Sequence, residues 1–143
     1  THRDPIRVIP SVASILYSTA YVRSDAVDPE AILGWFTGET CRFLLDRAAA
    51  VRESGLLPDA QVHDLLYADL MSDPIAAIGR AYEHFDISFT DAAQTRIRAY
   101  LDTKPKGKHG AHRYEFADTG LDVAEERARF ADYYARFGIP TEG

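Results

Sequence analysis

The sequence predicts the mostly helical part of an α/β fold, with about five helices and one strand in view. Three observations predict it. Asp-Pro pairs stand at Asp4-Pro5, Asp28-Pro29 and Asp73-Pro74, each an N-cap acceptor followed by a proline suited to the first helical position. Apolar residues recur at near-helical spacing after these openings. One short apolar-rich segment, Val62 to Tyr67, reads instead as a strand. A lone strand cannot satisfy its own backbone groups. Either this segment is not a strand, or its partners lie elsewhere, where a preceding half of the domain would supply them.

The first helix opens at Asp4-Pro5 and runs to about Tyr21, with Pro10 expected to kink it or delay it by a turn. The second opens at Asp28-Pro29, carries Leu33, Phe36, Phe43, Leu44 and Val51 at near-helical spacing, and stops at Gly55. Trp35-Phe36 on it reads as core or as a covered wall, and Cys41 as a buried small residue. Asp73-Pro74 opens the third, with Ile75, Ile78, Tyr82 and Phe85 on one face. Thr90 caps the fourth, which ends near Thr103. Asp122 opens the last, with Val123, Phe130, Tyr134 and Phe137 inward and Gly138 closing it. Glu125, Glu126, Arg127 and Arg129 read as its solvated face.

The chain has 143 residues, the size of one domain, and its 46% hydrophobic and 27% charged residues match a globular protein. No apolar run reaches the roughly 20 residues that span a bilayer, and the opening residues contain no signal-peptide core. The formal net charge of −6 argues against general affinity for nucleic acid or for an anionic membrane surface. Cys41 is the only cysteine, which excludes an intrachain disulfide and fits a reducing compartment. The first residue is Thr and the only methionine is Met71, as expected of a piece of a longer chain.

Three constellations carry candidate chemistry. Arg3 stands just before a helix and Ser11 two turns into it. An arginine fork and a hydroxyl converging at a helix start can hold a phosphate, although alone the pair is a weak signal that reads first as a surface arginine and a packed serine. The segment from Lys104 to Arg113 holds four permanent cations, two histidines and two glycines in a chain of opposite net charge. Glycines let backbone N–H groups approach an anion; a solvated loop fits the same composition. His109 and His112 lack acidic or cysteine partners at ligand spacing, so no metal site is expected. Third, Tyr67 to Pro74 is a predicted strand end turning into a helix, the place where open α/β sheets bind ligands. Core packing by Tyr67 and capping by Ser72 or Asp73 is the structural alternative.

In this order, the three resemble the sulfotransferases that use 3′-phosphoadenosine 5′-phosphosulfate (PAPS), and among them bacterial sulfotransferase-family proteins. Arg3 and Ser11 have the spacing of that family's 3′-phosphate arginine and serine. Tyr67-Ala68-Asp69-Leu70-Met71-Ser72-Asp73-Pro74 looks like its adenine-contacting segment. Lys106-Gly107-Lys108-His109-Gly110 matches the Lys-Gly-x-x-Gly core of the loop that closes over the 3′-phosphate. The family's loop arginine falls on Pro105, so Lys104, Lys106 or Arg113 must supply that charge, and His112-Arg113 stands where Trp-Lys is usual.

The resemblance implies the C-terminal part, residues 1–143, of a single P-loop-kinase-like domain. It implies sulfuryl transfer from PAPS to a hydroxyl or amine on a small molecule, carbohydrate or glycolipid, leaving the bisphosphate PAP. It assigns Arg3, Ser11, Lys106, Gly107, Lys108 and Arg113 to the 3′-phosphate and Tyr67 to adenine. The loop that binds the 5′-phosphosulfate, its lysine and the acceptor base are expected upstream of Arg3, since no Gly-rich turn follows an apolar strand here. Because PAPS is cytosolic, a cytoplasmic location is implied, with no metal, nucleic acid or stable membrane insertion. Two other readings stay open on the residues alone. A P-loop nucleotide kinase relative requires an upstream Gly-x-x-x-x-Gly-Lys-Ser/Thr loop. A non-catalytic helical interaction module predicts cooperative folding alone and indifference to adenine nucleotides.

Overall fold

A computed structural model describes residues 1–35, 38–104 and 115–142, leaving out the side chains of residues 33 and 35. Among the described residues the order is α1 (Pro5–Arg23), α2 (Pro29–Trp35), α3 (Gly38–Glu53), α4 (Tyr67–Ser72), α5 (Pro74–His84), α6 (Asp91–Thr103), α7 (Val123–Arg129) and α8 (Ala131–Phe137). Short 3-10 turns lie at Asp59–Gln61 and Phe116–Thr119. The predicted core roles of Leu33, Trp35 and Phe36 lie outside the described side chains.

The chain divides into two compact units: Thr1–His2 with Leu57–Arg113, and Arg3–Leu56 with Tyr114–Gly143. In the first, α5 packs on α4 and on α6. The capping logic of the sequence holds. Asp73 accepts from the Ala76 N–H ahead of Pro74, and Thr90 accepts from the Ala93 N–H. Ala77 is fully buried, and the Tyr82 and Phe89 rings lie 4.8 Å apart across the turn after α5.

The predicted strand is a correction. Residues 62–66 lead into α4, and Tyr67 opens that helix instead of ending a strand. Only an isolated parallel bridge forms, His2 to Leu66. The His2 N–H donates to the Leu65 carbonyl at 2.7 Å, and the Tyr67 N–H donates to the His2 carbonyl at 2.8 Å. Pairing stops there because Pro5 begins a helix three residues after His2 and takes the chain out of the extended state. Among the described residues there is no strand, so the parallel sheet of the expected fold is not present in them.

In the second unit, α1 packs against α2, α7 and the Phe116–Thr119 turn, while α3 packs on α7. Its core is Ile6, Ile9, Ala13, Ala49, Phe130 and Ile139. Helix α1 runs from Pro5 through Pro10, which is buried, so the expected delay by a turn is not seen. Among the described residues the second predicted helix is described as α2 and α3 on either side of residues 36–37, α4 is a helix that the sequence did not predict, and the last predicted helix is divided into α7 and α8. The last breaks at Phe130, whose backbone (φ −98°, ψ 10°) leaves α7 while its ring is 1% exposed. Phe43, Leu44 and Val51, which recur at near-helical spacing, are exposed in this structure.

Candidate functional site

Arg3 lies one residue before the N-cap of α1. Its guanidinium grips the Glu142 carboxylate as a two-pronged fork, Nε to Oε1 at 2.9 Å and Nη2 to Oε2 at 2.9 Å. This is the planar, bidentate geometry with which arginine recognises carboxylates and phosphates. Both side chains remain about a third exposed, at 32% and 30%. Ser11 sits half-buried at the end of the second turn of α1.

The floor beneath this fork is Asp4, which is fully buried. Its Oδ1 accepts from the Ile6 N–H at 2.9 Å and from the Tyr134 hydroxyl at 2.5 Å. Its Oδ2 accepts from the Glu142 N–H at 2.7 Å. Arg127 Nη2 donates to the Glu142 carbonyl at 3.2 Å. The Tyr134 phenol is pushed well above its ordinary range, first by burial, then by its hydrogen bond to Asp4 and the Asp4 charge, with Arg127 opposing. A helix cap read from sequence is thus the hub of a network joining both ends of the unit. Nothing in the sequence marked Glu142 or Tyr134 as its members, because their partners are 139 and 130 residues away.

In the other unit, Tyr67 is half-buried at the first position of α4, its N–H fixed by His2. Asp69 in α4 pairs with Arg80 in α5 at 2.8 Å, and His2 Nε2 pairs with Asp64 at 3.0 Å. Leu70, Met71, Ile78, Ile97 and Tyr100 line an apolar groove of about 520 Å³; Tyr67 does not line it. Lys106, Gly107, Lys108 and Arg113 lie outside the described residues.

Glu126 corrects the predicted solvated face of the last helix. It is buried, with Oε1 accepting from Arg129 Nε at 3.0 Å and Oε2 buried without a partner among the described residues. It rests against Gly38 at the start of α3, where a Cβ would overlap its carboxyl group. A carboxylate at a helix N-terminus is favoured by the positive end of the helix dipole. Cys41, one turn on, is half-buried. Burial first and the Glu126 charge second push its thiol up to about 11, so it stays protonated at neutral pH and is no nucleophile. Gly38→Ala is expected to cost about 1–3 kcal/mol by overpacking. A urea titration checks this, and the penalty should largely vanish in a Glu126→Ala background, where the clash is absent.

Among the described residues, no cluster of His, Cys, Asp or Glu is arranged to hold a metal ion, and no helix is long and apolar enough to cross a membrane.

A profile of the sulfotransferase family matches residues 1–91, well over half of the chain. No curated protein matches it. The fold is similar to the crystal structure of sulfotransferase STF9 from Mycobacterium avium, with a TM-score of 0.75 at 24% sequence identity. That similarity covers 99% of this chain and 36% of the other, so the chain spans little more than a third of that sulfotransferase's length. The profile match covers Arg3, Ser11 and the Tyr67–Pro74 segment together, and on that ground the chain belongs to the sulfotransferase family.

Proposed function

We propose that this chain is the C-terminal part of a single PAPS-dependent sulfotransferase domain, and that it holds the 3′-phosphate and adenine of the nucleotide. One observation carries the reading: the Arg3 fork, set just before α1, already grips a planar oxyanion through two parallel hydrogen bonds. A phosphate presents oxygens of the same spacing with more charge, so the donor set fits the group. PAPS, when bound, supplies the sulfuryl group that passes to an acceptor hydroxyl or amine on a small molecule, carbohydrate or glycolipid.

The residues here bind and orient. Arg3 and Ser11 take the 3′-phosphate, joined by Lys106, Gly107, Lys108 and Arg113 of the basic loop, while Tyr67 meets adenine. Positioning and electrostatic stabilisation do most of the work in such transfers. The lysine that meets charge on the bridging oxygen, and the acceptor base, belong to the part of the domain preceding Arg3. Helices α2, α3, α7 and α8 contribute to the walls of the acceptor pocket. The protein acts in the cytoplasm, where PAPS is made.

The test is calorimetric titration of the full-length protein with PAP and with 5′-AMP. Arg3→Ala is expected to weaken PAP by about 1.5–3 kcal/mol, roughly 10- to 150-fold, and to leave 5′-AMP nearly unchanged. Equal losses for both ligands would remove Arg3 from the 3′-phosphate site.

A further inference from the structure

The carboxylate on Arg3 is built into the fold. Helix α8 ends at Gly138, whose left-handed backbone (φ 61°) turns the chain back so that Ile139 is buried, its N–H bonded to the Tyr134 carbonyl. Three residues on, Glu142 is held from three sides. Its N–H donates to Asp4, its carbonyl accepts from Arg127, and its carboxylate fills the Arg3 fork. The two backbone contacts fix the residue whatever its side chain does.

We propose that Glu142 is a resident stand-in for the phosphate at Arg3, an internal competitor that a 3′-phosphorylated ligand must displace in order to bind. The inference rests on the reading of Arg3 given above. Binding exchanges one anion for another, so the guanidinium is paired at every stage. A phosphate, carrying more negative charge than a carboxylate, can displace Glu142. A nucleotide with a 3′-hydroxyl has nothing to put in its place and leaves the Arg3–Glu142 pair intact. The exchange lowers affinity for the true ligand by what the pair contributes, which is modest because both groups are a third exposed. It also stops the fork from capturing other anions.

The test uses Glu142→Gln and Glu142→Ala in the full-length protein, since both keep the backbone contacts to Asp4 and Arg127. PAP is expected to bind about fivefold more tightly to each variant, with 5′-AMP unchanged. In an Arg3→Ala background the same substitutions should give no gain. Unchanged or weaker PAP binding by both single variants, with melting temperatures near that of the parent, overturns the proposal. If Arg3→Ala itself leaves PAP affinity untouched, the phosphate reading of Arg3 has failed, a separate outcome. Should one variant fail to fold, the other decides.

Discussion

Replacing Asp4 by alanine is expected to cost about 3–5 kcal/mol of stability, because three buried or part-buried donors lose their acceptor at once. The carboxylate is fully buried and accepts from the Ile6 N–H, the Tyr134 hydroxyl and the Glu142 N–H. A capping aspartate on an exposed helix contributes only about 1 kcal/mol. Asp4 exceeds that because its other two bonds tie α8 and the segment after it to the start of α1. Asp4→Asn keeps one oxygen as acceptor for Ile6 and Tyr134 but turns its amide N–H toward the Glu142 N–H, so an intermediate loss is expected. A urea midpoint for Asp4→Ala no lower than that of an ordinary surface cap would show that the network contributes nothing beyond the cap.

The same network has an alkaline signature. The Tyr134 phenol is raised in the folded chain, by burial first and then by Asp4. In the unfolded chain it ionises near the ordinary value of about 10. Its contribution to stability is therefore complete below that value and is lost as pH rises through the folded-state value. Tyr134→Phe should flatten the fall in stability above pH ~10.

Phe130→Ala is the second large loss, about 3–5 kcal/mol. The ring is 1% exposed and is among the largest fully buried side chains described. It sits at the break between α7 and α8, where its N–H bonds to the Glu126 carbonyl and its own carbonyl takes the Tyr134 N–H. Truncation leaves a cavity that a junction held by both helices cannot close. It also loosens the register that brings Tyr134 to Asp4. Phe130→Leu, which keeps most of the volume, should cost less than half as much. Equal losses for the two variants would mean that the ring's shape, and not its volume, is what the junction requires. A loss below 1 kcal/mol for alanine would mean that the site collapses freely and that Phe130 does not organise this core.

Helix starts were legible in the sequence because they are decided within a few residues. Asp4-Pro5, Asp73-Pro74, Thr90 and Asp122 cap helices as read, since an N-cap acceptor and a proline act on the next turn alone. The family was legible for a related reason: the order and spacing of Arg3, Ser11 and Tyr67–Pro74 are one-dimensional facts, and the matching profile runs through them. Where the last helix divides was not legible, since the break at Phe130 coincides with a buried ring, nor was the glutamate 88 positions on that rests against Gly38 at the start of α3. The strand misread at Val62–Tyr67 has the same origin, because extended backbone becomes a strand only where a partner runs beside it, and here only His2 does.

The candidate site divides along the same line. Residue type and spacing by themselves marked Arg3 as a candidate anion fork beside a helix start. Only the tertiary structure decided that the fork already holds Glu142, that Asp4 is a buried hub and not merely a cap, and that Glu126 faces inward. Hydrogen bonds between residues 130 and more positions apart leave no periodicity and no motif. They exist only once the helices have packed and Arg3 and Asp4 lie beside Tyr134 and Glu142 within one unit.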